Sequence, residues 1–480
     1  MSVVVNRVRR GFYADSVALM RISRSLSSFA GVEQASLMIG TPANRELLAG
    51  SGLLDGEGEQ AQADDLVIAL RVTDPIAAEA ALAEADKLLA GGQAKATQSG
   101  IPTVRGLASA LNALPQANLA LISVPGEFAA AEARRALGCG LHVMMFSDNV
   151  SIAEEIELKR LAASKGLLLM GPDCGTALIG GAPIAFANVV PRGDVGLISA
   201  SGTGLQEVSC LLARAGRGIS HGIGVGGRDL SEEVGGLMTL AAFEALEADP
   251  ATRHIVIISK PPAKAVADRI HARVAKSAKP VTLCLLGVGG MTLSGAAEAV
   301  LGHRLQQGAQ NAVKPRRGWI RGLYSGGTLC NEAQLVLLGA GLEVHSNVPV
   351  PGAGETSTLD LEAHTLIDLG DDDYTRGRPH PMIDPEVRNQ LLSTTLADET
   401  VAVVLLDVVI GYGAHADPAG LVAGVLQATP GHRSVVVASV TGTDGDPQNY
   451  SAQAAKLAAA GVLVAHSNAQ AAALAARVVS

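Results

Sequence analysis

Val195-Gly196-Leu197-Ile198-Ser199-Ala200-Ser201-Gly202-Thr203-Gly204-Leu205-Gln206-Glu207 reads as a buried strand that turns sharply into a helix. The apolar run Val195 to Ile198 stops at small residues, and apolar positions at helical spacing continue through Leu211 and Leu212. Ser201 and Thr203 are both good N-cap residues, and Thr203 with Gln206 has the spacing of a capping box. A helix begun this way aims free backbone N–H groups and a positive dipole end at whatever lies above the turn, which favours a phosphate or carboxylate. The same residues also suit an ordinary βα turn that binds nothing.

The strand–helix unit recurs along the chain. After a stretch from Met1 to about Ala90 with short strands (Ala35–Ile39, Leu66–Leu70) and helices at Asp15–Ser27 and Thr73–Leu89, Gly91 to Gly100 reads as a linker without apolar periodicity. Strands at Leu119–Val124, Leu141–Phe146 and Leu167–Met170 then alternate with helices at Glu127–Leu137 and Ser151–Lys165. A third set of strands covers Val195–Ile198, Gly222–Val225, His254–Ser259 and Val281–Leu286. Asn311 to Arg317 reads as a second linker, and Ile320–Tyr324, Thr365–Leu369, Val401–Leu406, Ser434–Val440 and Val462–His466 as a last set of strands before a closing helix, Ala469–Val479. Alternation of this kind implies βαβ crossovers and parallel sheets, so the expected fold class is α/β with Rossmann- or flavodoxin-like domains in tandem.

Composition agrees. Hydrophobic residues make up 48% of the 480, aromatics only 2%, and 55 positions are glycine, which suits parallel strands buried on both faces. A net charge of −9 with so few aromatics argues against nucleic acid, which calls for basic patches and stacking platforms. Small anionic substrates remain compatible, because a local cluster of N–H groups and arginines opposes the global charge. The five cysteines form no CxxC pair and are expected as buried free thiols; no metal site is expected. Glycines 287, 289 and 290 break the longest uncharged stretch, Val281 to Ala297, so no membrane span is expected and a cytoplasmic location is.

The opening turn has an echo. Ser201-Gly202-Thr203 followed by Glu207 matches Gly326-Gly327-Thr328 followed by Glu332, both after a strand and both with a carboxylate four residues past the threonine. Two such turns facing one another would hold one ligand between them.

The string Gly171-Pro172-Asp173-Cys174-Gly175-Thr176, then Ser201-Gly202-Thr203 with Glu207, then Gly224-Val225-Gly226-Gly227-Arg228-Asp229, comes in the order seen in the α subunit of succinyl-CoA synthetase. Thr441-Gly442-Thr443, Ala454-Ala455-Lys456-Leu457 and Gly461-Val462-Leu463-Val464 resemble the carboxyl-terminal domain of its β subunit. More closely, the whole chain resembles the FdrA-type, acyl-CoA-synthetase-like proteins, from Asp15-Ser16-Val17 and Gly40-Thr41-Pro42-Ala43-Asn44 to Gly377-Arg378-Pro379-His380-Pro381-Met382-Ile383-Asp384-Pro385. The resemblance implies a small N-terminal domain (1–95), a CoA-binding-like Rossmann domain (101–191), a synthetase-like flavodoxin domain (192–310) and a C-terminal synthetase-like domain (318–480).

It further implies a subunit of a carbamoyltransferase of the oxamate type, in allantoin catabolism, working with partner subunits or as a homodimer. Acyl-CoA synthetase or CoA transferase activity, and a non-catalytic scaffold, are the alternatives. A succinyl-CoA synthetase carries phosphate on a histidine in a GHAG-like context, whereas Gly287-Val288-Gly289-Gly290-Met291-Thr292-Leu293-Ser294-Gly295-Ala296-Ala297 has none. The resemblance includes no ATP-grasp region and no glycine-rich CoA clamp. A site for an acyl phosphate, such as carbamoyl phosphate, needs no histidine, and CoA stays an alternative substrate.

The candidate phosphate-binding residues are therefore Ser201, Gly202, Thr203, Gly204, Gly326, Gly327 and Thr328. Glu207 is expected to orient a substrate amide or to complement the helix dipole. Lys260, closing the strand His254–Ser259, lies on the ligand edge of a parallel sheet and offers a point charge to phosphate. In the polar cluster Asp368 to Arg388, Arg376 and Arg378 are expected to clamp a carboxylate and His380 to act as acid or base. Adjacent carboxylates at Asp371, Asp372 and Asp373 converge poorly on Mg²⁺. Asp407 is expected to cap the turn Gly411-Tyr412-Gly413 or orient His415; Arg228 and Asp229 are expected to pair, and Cys174 to be structural.

Overall fold

The computed structural model describes residues 2–12, 14, 16–98, 104, 106–287, 290–306, 314–359, 361–376 and 379–480, with backbone only at 16–17 and 91–98. Asp15, Val288, Gly289, Gly377, Arg378 and part of each expected linker lie outside the described residues. The chain forms two compact units, one of residues 1–143, 147–150 and 372–379, the other of 144–146, 151–371 and 380–480.

In the first unit β1 (Val3–Arg9), β2 (Val32–Ile39) and β3 (Leu66–Val72) form an antiparallel sheet in the order β1-β3-β2. Central β3 alternates: Leu66, Ile68, Leu70 and Val72 meet α1 (Ser16–Ser27) and α2 (Pro75–Gln98), while Val67 and Ala69 pack on Leu48, Leu53 and Ala61. Helix α2 runs to Gln98, so the expected linker from Gly91 is helical through most of its length. Two glycines cost a helix only about 1 kcal/mol each, too little to end a run continued by Ala, Gln and Lys.

In the second unit, the alternation expected before residue 191 includes α3 (Ile152–Ser164), opened by a capping box between Ser151 and Glu154. A hairpin of β4 (Thr176–Ile179) and β5 (Ala182–Ala185) follows. Gly180 and Gly181, both at positive φ, make the two-residue turn that matches strand twist. Sequence patterning missed this hairpin. It joins β6 (Arg192–Ser199), β7 (Ile219–Gly224), β8 (His254–Ser259) and β9 (Val281–Leu285) in a six-stranded sheet ordered β9-β8-β6-β7-β4-β5. The sheet thus begins before residue 192. Helices α4 (Gly202–Arg214) and α5 (Leu293–Leu301) follow β6 and β9.

A second sheet is built from β10 (Trp319–Tyr324), β11 (Val344–Ser346), β12 (Gly354–Glu355), β13 (His364–Asp368), β14 (Val401–Val409), β15 (Val435–Thr441) and β16 (Leu463–Ala465). Its order is β12-β11-β13-β10-β14-β15-β16, with every pairing parallel. Helix α6 (Gly327–Gly339) leaves β10, α7 (Glu386–Ala397) precedes β14, and α8 (Asn468–Val479) follows β16. One continuous apolar core joins the sheets, because Leu205, Val208 and Leu212 of α4 pack with Ala296 and Ala297 of α5, Leu329 and Ala333 of α6, and Ala471, Ala472 and Ala475 of α8. Alanines let these helices approach closely. In the second unit the α/β class with parallel strands is as the alternation implies, apart from the antiparallel hairpin β4–β5, whereas the three-stranded sheet of the first unit is antiparallel throughout.

Arg228 and Asp229 do not pair with each other. Asp229 accepts from Lys159 Nζ at 2.8 Å and from the Met238 and Thr239 amides, and Arg228 pairs with Glu155 at 2.8 Å. Lys159, fully buried, also meets Glu155 at 2.8 Å, so α3 is tied by charge to the loop after β7. Side chains of adjacent residues in that loop diverge, and each reaches a separate carboxylate or ammonium.

Candidate functional site

The two turns singled out in the sequence lie against one another in the second unit. At the first, the Ser201 side chain caps α4 by accepting from the Gly204 amide at 2.9 Å. Thr203 sits within the first helical turn, so the expected Thr203–Gln206 capping box does not form; position N3 of a Ser201 cap is Gly204, which has no side chain to reciprocate. Ser199 Oγ takes the Ser201 amide at 3.1 Å. The amides of Gly202 and Thr203 have no protein partner among the described residues, and Ser201 and Gly202 are half-buried. This is an open anion-receiving helix end.

The second turn is close by but differently furnished. A Cβ on Gly326 would lie 2.9 Å from Thr203 Cγ2 and 3.1 Å from its Oγ1, so only glycine lets the turns meet. Asp407 Oδ1 accepts from the Ser325 amide at 2.7 Å and Oδ2 from the Gly326 amide at 2.8 Å. Asp407 therefore serves this turn, and neither Gly411 nor His415 as expected. Register decides this, since β14 lies directly beside β10. Burial pushes its carboxyl up to about 6 against the pull of those amides and of Arg388. Arg388, itself buried, donates to the Asp407 carbonyl at 3.2 Å. Asp407 thus holds the Ser325 and Gly326 amides of the second turn, while those of Gly327 and Thr328, like those of Gly202 and Thr203, have no protein partner among the described residues.

Glu207 and Glu332 are spent on helix ends. Glu207 Oε2 accepts from Thr441 Oγ at 2.5 Å and Oε1 from the Asn468 amide at 3.2 Å. Glu332 Oε1 accepts from the Leu293 amide at 2.6 Å and Oε2 from Asn468 Nδ2 at 2.7 Å. Each glutamate thus reaches from the helix after one sheet to the first residue of a helix of the other sheet. This corrects the expectation that Glu207 orients a substrate: it is buried with both oxygens occupied. Burial raises both carboxyls, Glu332 to about 7.

Lys260, exposed at the end of β8, does reach the site: its Nζ is 3.5 Å from where a Cβ on Gly327 would stand, and Asp368 Oδ2 adjoins that same point. His380 is half-buried, with Nε2 beside Gly370. Its Nδ1 accepts from the Met382 amide at 3.2 Å, which leaves the proton of the neutral ring on Nε2. Burial lowers its pKa to about 4. The acid–base role expected of it gives way to that of a neutral hydrogen-bond donor. Arg376 is exposed, 4.0 Å from Asp373, in a segment grouped with the first unit. Cys174 is buried, and burial pushes its thiol up to about 12, which keeps it structural.

Sequence reasoning missed Asp368. The signal was present, since a carboxylate ending an apolar parallel strand lies on the ligand edge of the sheet.

A family model described as CoA-ligase matches residues 323–478, and one described as AllF, heavy metal-associated domain, matches residues 1–103. Residues 1–103 contain neither cysteine nor histidine, and no group of metal-binding side chains occurs among the described residues. The donor set therefore does not fit a thiophilic metal. No helix among the described residues is long and apolar enough to cross a membrane.

Along 96% of both chains the protein is 42% identical to the uncharacterized protein YahF of Escherichia coli (strain K12). Over 30% of its length it is 32% identical to the succinate–CoA ligase [ADP-forming] α subunit of Aquifex aeolicus, covering 48% of that chain. Over 34% it is 29% identical to the ADP-forming sulfoacetate-CoA ligase subunit SauD of Bilophila wadsworthia, covering 56% of it. The chain thus spans about half the length of these ligase subunits. The dinucleotide forming acetyl-coenzyme A synthetase 1 of Ca. Korarchaeum cryptofilum matches at TM-score 0.29 and 15% identity, over 75% of this chain and 82% of that one. The chain belongs to the family of Escherichia coli YahF, a CoA-ligase-like family of the succinyl-CoA synthetase superfamily.

Proposed function

We propose that the second unit holds an acyl phosphate at the open end of α4 and transfers its acyl group, as an acyl-CoA-synthetase-like protein without a phosphohistidine. The observation that carries this is the pair of unpartnered amides of Gly202 and Thr203 beside Lys260 and the Gly326–Gly327 turn. In this reading those amides hold the leaving phosphate while Lys260 adds a point charge. The stretch between Val281 and Gly302 has no histidine, so transfer runs directly from the acyl phosphate to the acceptor.

A second reading, carbamoyl transfer from carbamoyl phosphate to an acceptor such as oxamate with partner subunits, is favoured by the missing histidine and by the AllF family match over residues 1–103. ADP formed from ATP, CoA and a carboxylate supports a full ligase; phosphate released from carbamoyl phosphate only when oxamate is present supports the second reading.

The site itself is tested by melting the full chain with inorganic phosphate or acetyl phosphate. Ligand at about 100 times its dissociation constant stabilises by about 2.7 kcal/mol, a shift of several degrees. Gly202→Asp puts a carboxylate at the helix end, where the dipole tolerates it, and is expected to abolish the shift while the variant still folds. No shift in the parent, or an equal shift in Gly202→Asp, would sink the proposal.

A further inference from the structure

Four carboxylates surround the two facing turns, and three have both oxygens engaged. Glu207 holds Thr441 and the Asn468 amide, Glu332 holds the Leu293 amide and Asn468 Nδ2, and Asp407 holds the amides of Ser325 and Gly326. Asp368 differs. Its Oδ1 accepts from the Gly370 amide at 2.9 Å, and its backbone is clamped on both sides by Asn347, whose Oδ1 accepts the Asp368 amide at 2.8 Å and whose Nδ2 donates to the Asp368 carbonyl at 3.0 Å. The residue is 5% exposed. Its Oδ2 has no hydrogen-bond partner among the described residues and is directed at Gly327, itself half-buried, next to Lys260 Nζ. A fixed carboxylate with one unspent oxygen at the mouth of a helix end is placed to take a proton.

We infer that Asp368 is the general base of acyl transfer, removing the proton from the attacking N–H or S–H of the acceptor. The inference rests on the acyl-phosphate reading of the same site. The acceptor's lone pair attacks the acyl carbon, the bond from that carbon to the phosphate oxygen breaks, and phosphate leaves with that electron pair. The acceptor's proton passes to Asp368 Oδ2, and from there to water. Nothing is oxidised or reduced. His380 is no competitor for the role, because its Nε2 already carries a proton while Nδ1 accepts the Met382 amide.

The charges facing Asp368 are Lys260 just after β8, Asp371 from its own segment and Asp407 from β14, with neutral His380 beside Oδ1. Burial raises the Asp368 carboxyl to about 6, with Lys260 and the Gly370 amide opposing. It is therefore ionised and competent as a base above about pH 6.

The test measures phosphate released by the full chain from acetyl phosphate with coenzyme A and from carbamoyl phosphate with oxamate, between about pH 5 and pH 8. The parent is expected to gain activity as pH rises through about 6. Asp368→Asn, which keeps the acceptor for the Gly370 amide, is expected to lose about a hundredfold and to flatten that limb. Its phosphate-induced melting shift is expected to persist, since the Gly202 and Thr203 amides are untouched. An Asp368→Asn rate within about threefold of the parent, with the same acidic limb, overturns the assignment. So does loss of the melting shift in that variant, which would make Asp368 a support of the anion site. If the parent releases phosphate with neither pair, the acyl-phosphate reading itself fails, before any variant is compared.

Discussion

Lys159→Met is expected to destabilise the second unit by about 3–5 kcal/mol, the cost of breaking a buried ion pair from one side. The ammonium is fully buried, lies 2.8 Å from Glu155 as an ion pair, and donates to Asp229 at 2.8 Å and to the Val225 carbonyl at 2.9 Å. Methionine fills the volume but leaves the buried Asp229 carboxylate facing only the Met238 and Thr239 amides and the Thr239 hydroxyl. Arg228 still neutralises Glu155, so the loss concentrates on Asp229. Arg228→Ala, whose side chain is 47% exposed, is expected to cost no more than about 1 kcal/mol. Urea unfolding measures both as shifts in midpoint at constant slope. A Lys159→Met loss under about 1 kcal/mol would mean that the network is bypassed by water.

Glu332→Gln is expected to change how stability depends on pH. In the folded chain burial raises the Glu332 carboxyl to about 7, above its ordinary 4.5, with Glu207 adding to the rise and Asn468 and the Leu293 amide opposing it. The folded state thus holds this proton over a range where the unfolded state has lost it. The associated stability is fully present below about 4.5 and is lost as pH rises through about 7. That gap corresponds to at most roughly 3 kcal/mol. Glutamine cannot ionise, so the variant should gain on the parent by up to this amount between the two limits. Any fixed cost of an amide facing Asn468 offsets both ends equally and drops out of the difference. Glu207 is raised chiefly by its own burial, which the substitution leaves in place. Unfolding free energies that run parallel across this range would refute the account.

The expected strands agree with the observed ones wherever the pattern was a continuous apolar run. His254–Ser259 matches to the residue, and Val401–Leu406 is the first part of a nine-residue strand. Strands lacking such runs escaped notice. Val344–Ser346 is only three residues long, and Gly354–Glu355 is a two-residue edge strand. The hairpin at Gly180-Gly181 was missed because an expectation of alternating strands and helices left no place for an antiparallel pair. Gly91 and Gly92 misled in the opposite direction, since helix propensity weighs little against a continuing backbone ladder.

The site divides in the same way. That Ser201 and Gly326 open helices after strands, that Lys260 ends a strand on the ligand edge, and that no histidine stands between Val281 and Gly302 are properties of local order along the chain. Periodicity, capping chemistry and simple inspection reveal them. Which carboxylate serves which turn is not local. Asp407 lies 81 residues from Gly326, and Asn468 lies 261 from Glu207, so these partnerships exist only once the strand order is set and the helices pack. The sequence by itself determined two glycine-rich helix starts and an α/β chain to carry them. Only the tertiary structure decided that the Ser325 and Gly326 amides are held by a protein carboxylate, that the first amides of both helices stay without a protein partner among the described residues, and that Asp368 keeps an unspent oxygen. The reason is physical: a buried carboxylate is satisfied by whichever donors the fold brings within about 3 Å, and the chain's order does not say which those will be.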